Sequence, residues 1–215
     1  MKIYCLLISV FVVLGQLPAQ YQNETHVPVS YKNCVTGTCV NTTGYITLDL
    51  EWRWKHLQNS YTNCNGGNYW NCPNALNCTQ TCVIEGLNLT QYNTTYGITP
   101  LNNGIKMQYV TGGNVGSRVY LMKDNNTYLK IPLLNQEISF TVDLSTLPCG
   151  VNGAVYLIEA QADGGTSAYP NVKAGAKYGE GYCDAQCPQL SFVGGLANSP
   201  SWGSKGACCN EFDLL

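Results

Sequence analysis

Ile46-Thr47-Leu48-Asp49-Leu50-Glu51-Trp52-Arg53-Trp54 alternates apolar and polar side chains without a break. Successive strand residues point to opposite faces, so Ile46, Leu48, Leu50, Trp52 and Trp54 fall on one face and Thr47, Asp49, Glu51 and Arg53 on the other. This period predicts an amphipathic strand. Glu137 to Leu144 repeats it, with Ile138, Phe140, Val142 and Leu144 set against Glu137, Ser139, Thr141 and Asp143. Ala154 to Ile158 is apolar on both faces, the pattern of a strand in the middle of packed sheets. Ile105-Met107-Tyr109 and Val119-Leu121 supply two more strands, and Asn102-Asn103-Gly104, Gly112-Gly113-Asn114 and Asp124-Asn125-Asn126 supply the breaks between them. An all-β antiparallel sandwich or jelly roll follows. No repeat, charge block or low-complexity linker divides the chain, so residues 20–215 are expected to form one domain or one piece of a larger one.

Lys2, an apolar run from Ile3 to Leu14 and the short Leu17-Pro18-Ala19-Gln20 segment read as a secretory signal peptide over residues 1–19, with cleavage after Ala19. The apolar run is short for a bilayer span, so an exported soluble protein without a membrane partner is expected. Asn23, Asn41, Asn77, Asn88, Asn93 and Asn125 each begin an Asn-x-Ser/Thr sequon, which suits a secreted glycoprotein. Charged residues are 11% of the chain and the net charge is -2, so there is no basic stripe for nucleic acid. Of the twelve cysteines Cys5 lies in the leader, which leaves an odd number for an oxidising compartment. His26 and His56 make no metal-binding spacing with them. A disulfide framework without metal or cofactor is the expectation, with Cys64 to Cys82 as a stapled surface loop.

The chain ends Cys208-Cys209-Asn210-Glu211-Phe212-Asp213-Leu214-Leu215. On a strand Glu211 and Asp213 share a face, an outline of acid/base or nucleophile chemistry, although a solvated strand face has the same pattern. Adjacent cysteines seldom bond to each other, so Cys208 and Cys209 are expected to tie the segment to two other places. Tyr182-Cys183-Asp184-Ala185-Gln186-Cys187 likewise sets an acid and an amide between two cysteines.

Six motifs in order are similar to those of glycoside hydrolase family 7, the secreted eukaryotic cellulases. They are Glu51-Trp52-Arg53-Trp54, Leu147 to Ala154, Ala162-Asp163-Gly164-Gly165, Ala174 to Gly179, Gly181 to Pro188 and Cys208 to Asp213. The resemblance runs from about His26 to the end of the chain. It implies a curved, concanavalin A-like antiparallel β-sandwich and cleavage of cellulose or soluble β-1,4-glucan with retention of configuration by a monomeric enzyme. In the family's E-x-D-x-x-E motif Glu211 would be the nucleophile and Asp213 its supporting acid. The acid/base Glu would be residue 216, so the chain is expected to be the N-terminal portion of a catalytic domain, incomplete at the C-terminus and inactive alone.

By the same resemblance Cys34 pairs with Cys39, Cys64 with Cys82, Cys72 with Cys78, Cys183 with Cys209 and Cys187 with Cys208, and Cys149 is left over. Trp52 and Trp54 match sugar-stacking platforms, although both also continue the apolar stripe of a core strand. Asn152, Tyr156, Asp184 and Gln186 match polar groups along the sugar subsites. Ala185 and the short, Gly/Ser-rich segment between Pro188 and Cys208 agree with endoglucanase relatives and imply an open groove cut internally. A processive cellobiohydrolase, a lectin-like binder that keeps the cleft without the acid/base, and a stapled glycoprotein with no glycan site are the alternatives.

Overall fold

The computed structural model describes residues 15–65 and 69–215. Val27–Val35 and Thr38–Leu48 form a long antiparallel hairpin. Its turn residues, Thr36 and Gly37, both have positive φ (47° and 82°), as a tight turn whose twist matches the flanking strands requires. Val119–Met122 pairs along the other edge of Thr38–Leu48, with Val119 opposite Leu48. The strand that holds Ile46 and Leu48 is therefore central.

That position corrects the faces expected from alternation. Ile46 and Leu48 pack with Val27, Leu87, Tyr92 and Ile98. Thr47, Asp49 and Arg53, expected on the solvent side, are buried as well. Thr47 Oγ1 donates to the Lys177 carbonyl at 3.0 Å and accepts from Arg53 Nη2 at 2.9 Å, so the buried polar atoms are satisfied. Gly179, at φ 71°, closes against this strand, and a Cβ there would lie 2.0 Å from the Leu48 carbonyl oxygen. Only glycine fits.

The strand ends at Leu48 and does not continue to Trp54. The Asp49 carboxylate accepts from Glu51 N at 2.7 Å and caps a 3-10 turn over Leu50–Trp52. Arg53 then turns inward, with Nη1 2.5 Å from Glu24 Oε2 and Nε donating to the Leu48 carbonyl at 3.1 Å. Trp52 and Trp54 thus lie on a turn and on the segment after it, not side by side on one strand face.

A second sheet has Cys82–Ile84 in the middle, antiparallel to Lys55–Leu57 and parallel to Leu17–Pro18. Residues 15–19, assigned above to the leader, are built into it. Gln16 is 2% exposed, its Nε2 donates to Glu180 Oε1 at 2.6 Å, and Ala19 N donates to the Ile84 carbonyl at 2.9 Å. Residues 1–14 of the expected leader lie outside the described residues.

The Cys64 to Cys82 region is more than a surface loop. It contains the helix Ala75–Thr81, capped by Asn74, and its Cys64, Cys78 and Cys82 are fully buried in a core with Leu50, Ile84, Tyr178 and Phe192. A second helix, Leu89–Tyr96, starts with reciprocal hydrogen bonds between Asn88 and Gln91 and stops at left-handed Gly97. Its start and stop signals are present in the sequence itself.

Ile138 to Leu144 pairs with no strand among the described residues, and its four apolar side chains remain 36% to 45% exposed. Alternation marks a segment suited to a sheet, but a strand exists only where a neighbouring backbone completes its hydrogen bonds. Of Ala154 to Ile158, only Tyr156–Ile158 is a strand, half-buried and paired with Glu211–Asp213 in place of a central position. Disulfides join Cys34 to Cys39, Cys64 to Cys82, Cys72 to Cys78, Cys183 to Cys209 and Cys187 to Cys208, and Cys149 is free and exposed.

Candidate active site

Glu211–Asp213 runs antiparallel to Tyr156–Ile158, with Ile158 opposite Glu211 and Tyr156 opposite Asp213. Directly opposed residues share a face, so Glu211, Asp213 and Tyr156 stand on one side of the ribbon and Phe212 on the other. The ribbon is pinned just before Glu211. Cys208 and Cys209 are bonded to Cys187 and Cys183, Cys208 bridges Asp184 in parallel, and Cys209 N donates to the Asp184 carbonyl at 3.1 Å. Both bridges bind the 183–187 turn to the 207–209 segment. Ala185 N is thereby placed to donate to Glu211 Oε2 at 3.2 Å. Glu211 is half-buried and Asp213 is exposed.

Asp184 is buried and fully engaged: Tyr182 Oη donates to Oδ2 and Gln186 N to Oδ1, each at 2.7 Å. The Tyr182 hydroxyl also lies 3.0 Å from that of Tyr156, which returns the network to the ribbon that carries Glu211. Burial, then the bonds to Tyr156 and Asp184, push the Tyr182 phenol well above its usual range. The Arg118 guanidinium lies 3.2 Å from the centre of the Tyr182 ring and 5.5 Å from that of Trp52, and its Nε donates to Asp49 Oδ2 at 2.9 Å. Burial disfavours the Arg118 charge, but Asp49 and the surrounding phenols outweigh it and raise its pKa. Tyr120 Oη donates to the same Asp49 oxygen.

These contacts connect Tyr156, opposite Asp213 on the ribbon that carries Glu211, through Tyr182 and Arg118 to Trp52. Beyond Trp52, a groove of about 680 Å³ is lined by Glu51, Trp54, Asn63, Trp70, Ser191 and Asn198, among others. Trp54 Nε1 donates to Asn63 Oδ1 at 2.8 Å, and Glu51 accepts from both N and Oγ of Ser191. Trp54 lines this groove, whereas Trp52 packs against the core of Val27, Ile46 and Leu48 and its Nε1 donates to the Val115 carbonyl at 3.5 Å, so the two tryptophans do not share one surface. Gln186 enters the network through its backbone N, with an exposed side chain. Asn152 is exposed and outside the network.

Sequence reasoning did not select Tyr182, Arg118 or Asp49. Tyr182 sits one residue before a bridged cysteine in a motif already singled out, which is a usable signal. Arg118 and Asp49 are joined by folding across 69 residues, and nothing local marks them. The arrangement offers a fixed carboxylate, a buried phenol–carboxylate chain and aromatic surface, suited to a neutral polyhydroxylated ligand. Among the described residues no group of three or more His, Cys, Asp or Glu could hold a metal ion.

The model of glycosyl hydrolase family 7 matches residues 18–215. A family 7 cellobiohydrolase from Daphnia pulex is 37% identical, with a TM-score of 0.83 over 93% of this chain and 49% of that one. A cellobiohydrolase from Melanocarpus albomyces, solved with cellotetraose, is 38% identical, with a TM-score of 0.81 over 92% of this chain and 47% of that one. The native endocellulase EGI of Humicola insolens is 32% identical, with a TM-score of 0.73 over 93% of this chain and 50% of that one. The chain spans about half the length of these structures. Its strand-dominated, disulfide-rich architecture is that of their sandwich, and from residue 18 to residue 215 the chain belongs to glycosyl hydrolase family 7.

Proposed function

We propose that the protein is a secreted, retaining β-1,4-glucan hydrolase of endo type, acting as a monomer without a cofactor, with Glu211 as its nucleophile. The observation that carries this reading is the placement of Glu211, half-buried on the ribbon behind two disulfides and held by Ala185 N at 3.2 Å. In the first step a Glu211 oxygen bonds to the anomeric carbon as the glycosidic bond breaks, and the departing oxygen takes a proton. In the second, water attacks the glycosyl-enzyme and releases Glu211. Both steps need a second carboxyl about 5 to 5.5 Å away. The family motif puts that acid/base at position 216, and a chain without it would lose on the order of 10² to 10⁴ in rate.

Asp213, on the same face, adds negative field beside the nucleophile. Trp52 and Trp54 offer flat faces to sugar rings, Asn152, Tyr156 and Gln186 fix hydroxyl groups, and Asp184, already engaged by Tyr182 and Gln186 N, orients the Tyr182 and Tyr156 phenols beside them. The neighbour solved with cellotetraose supports the substrate class.

Endo action rests on the segment from Pro188 to Cys208. Phe192–Val193 and Leu196–Ala197 form a tight hairpin, with Phe192 edge-on to Trp70 at 5.4 Å, and the segment contributes Ser191, Asn198 and Pro200 to the wall of the groove. Its packing as wall, in place of a roof over the groove, supports the endo reading. A processive reading has its own support in the 37% and 38% identity to cellobiohydrolases. An enzyme of the relatives' full length is expected to lower the viscosity of a soluble cellulose derivative well before reducing ends accumulate. Steady release of cellobiose at nearly constant viscosity would replace the endo reading with the processive one.

A further inference from the structure

Tyr21, Trp54, His56 and Tyr61 form one aromatic cluster at the Trp54 end of the groove. Tyr21 and Tyr61 lie 5.2 Å apart at 8°, Tyr21 and His56 5.0 Å apart at 14°, Trp54 and Tyr61 5.8 Å apart at 18°, and Trp54 and His56 4.2 Å apart at 30°. The inner part is locked. His56 is fully buried, with Nε2 2.8 Å from Glu85 Oε1, and the Glu85 carboxylate also accepts the backbone N–H groups of Gln20, Tyr21 and Gln22. One buried carboxylate thus fixes Tyr21 against His56. Gln20 and Asn59 exchange hydrogen bonds, Nε2 to Oδ1 at 3.0 Å and N to Oε1 at 2.9 Å, which anchors the turn leading to Tyr61.

The outer rings remain in water: Tyr61 is 78% exposed and Tyr21 46%. A ring with most of its surface solvated gains little from burial, so folding alone gives Tyr61 little reason to be aromatic. Held parallel by a scaffold, such rings are instead a rigid apolar surface that loses little entropy when a ligand covers it. Trp54 belongs to both the groove and the cluster, so a chain lying across Trp54 continues onto Tyr61 and Tyr21.

We propose that Tyr61, backed by Tyr21, is an additional sugar-stacking platform that extends the groove past Trp54 and favours long β-1,4-glucan chains over short ones. The proposal rests on the reading of Trp54 as a sugar platform. The axial C–H face of a glucosyl unit is the chemistry that a flat, uncharged ring accepts.

The test measures cellohexaose and cellotriose binding by calorimetry in the Glu211→Gln background, with and without Tyr61→Ala and Tyr61→Phe. Tyr61→Ala is expected to weaken cellohexaose binding roughly threefold to tenfold, the range for one aromatic stacking contact. Cellotriose binding should be unchanged, and Tyr61→Phe should behave as the parent. Equal loss for both ligands would make Tyr61 a prop for the groove and overturn the platform, and so would no loss for either. If the parent binds neither oligosaccharide, the proposed function falls together with the platform.

Discussion

Glu24 and Glu180 are buried carboxyls driven in opposite directions by their neighbours. Burial would raise Glu24, but Arg53, His26 and Tyr92 overcome it and hold the carboxyl at about 2. Burial raises Glu180 to about 7 against the smaller pull of Gly175 N and the Gln16 amide. Between the ordinary value of 4.5 and about 7, the folded chain keeps the Glu180 proton that the unfolded chain has released, so stability falls as pH rises through that window. Between 4.5 and about 2, the unfolded chain takes up the proton that Glu24 refuses, so stability falls as pH falls. Thermal unfolding followed from pH 3 to 8 is expected to show maximum stability near pH 4.5 to 5. Glu180→Gln should flatten the upper slope, which is worth roughly 3 kcal/mol. A parent protein that gains stability between pH 5 and 7 would contradict this. Such roles are hard to read from sequence, because Glu24 and Arg53 look like ordinary surface charges until the core closes around them.

Elements with local turn chemistry were legible, and elements that depend on distant partners were not. Val119–Met122 and the breaks at Asn102 to Gly104 and Gly112 to Asn114 fall where composition puts them. The tryptophan strand fails because Asp49 caps a turn and Arg53 finds Glu24, a pairing set by tertiary structure. The N-terminal segment is the sharpest case. Cleavage after Ala19 would remove Leu17–Pro18 from its pairing with Val83 and Ile84 and strip the buried Glu180 of its Gln16 partner. Gly15 is the first small residue after the apolar run and itself packs close to Asn171, where a Cβ would lie 2.8 Å from the carbonyl oxygen. Signal-peptide cleavage requires a small residue at that place, so the cut is expected between Gly15 and Gln16. On the proposal of secretion, mass analysis should find an N-terminal peptide that begins at Gln16. A start at Gln20 would restore the boundary read from composition.

Across the whole molecule, apolar alternation gave the all-β class, while the choice of Glu211, Asp213, Asp184 and the tryptophans as site residues rests on the family motifs alone. Alternation alone could not distinguish Ile46 to Leu48, which meets partners on both edges, from Ile138 to Leu144, which meets none among the described residues. The central claim is that Glu211 forms a covalent bond to the anomeric carbon. A 2-deoxy-2-fluoro cellobioside with a dinitrophenolate leaving group tests it without requiring the general acid, since dinitrophenolate departs unprotonated and the fluorine slows release of the intermediate. After incubation with this reagent, peptide mass analysis is expected to find one glycosyl adduct on the peptide that contains Glu211, absent in Glu211→Gln. An adduct on Asp213, Asp184 or another residue, or an equal adduct in the Glu211→Gln variant, would contradict the account.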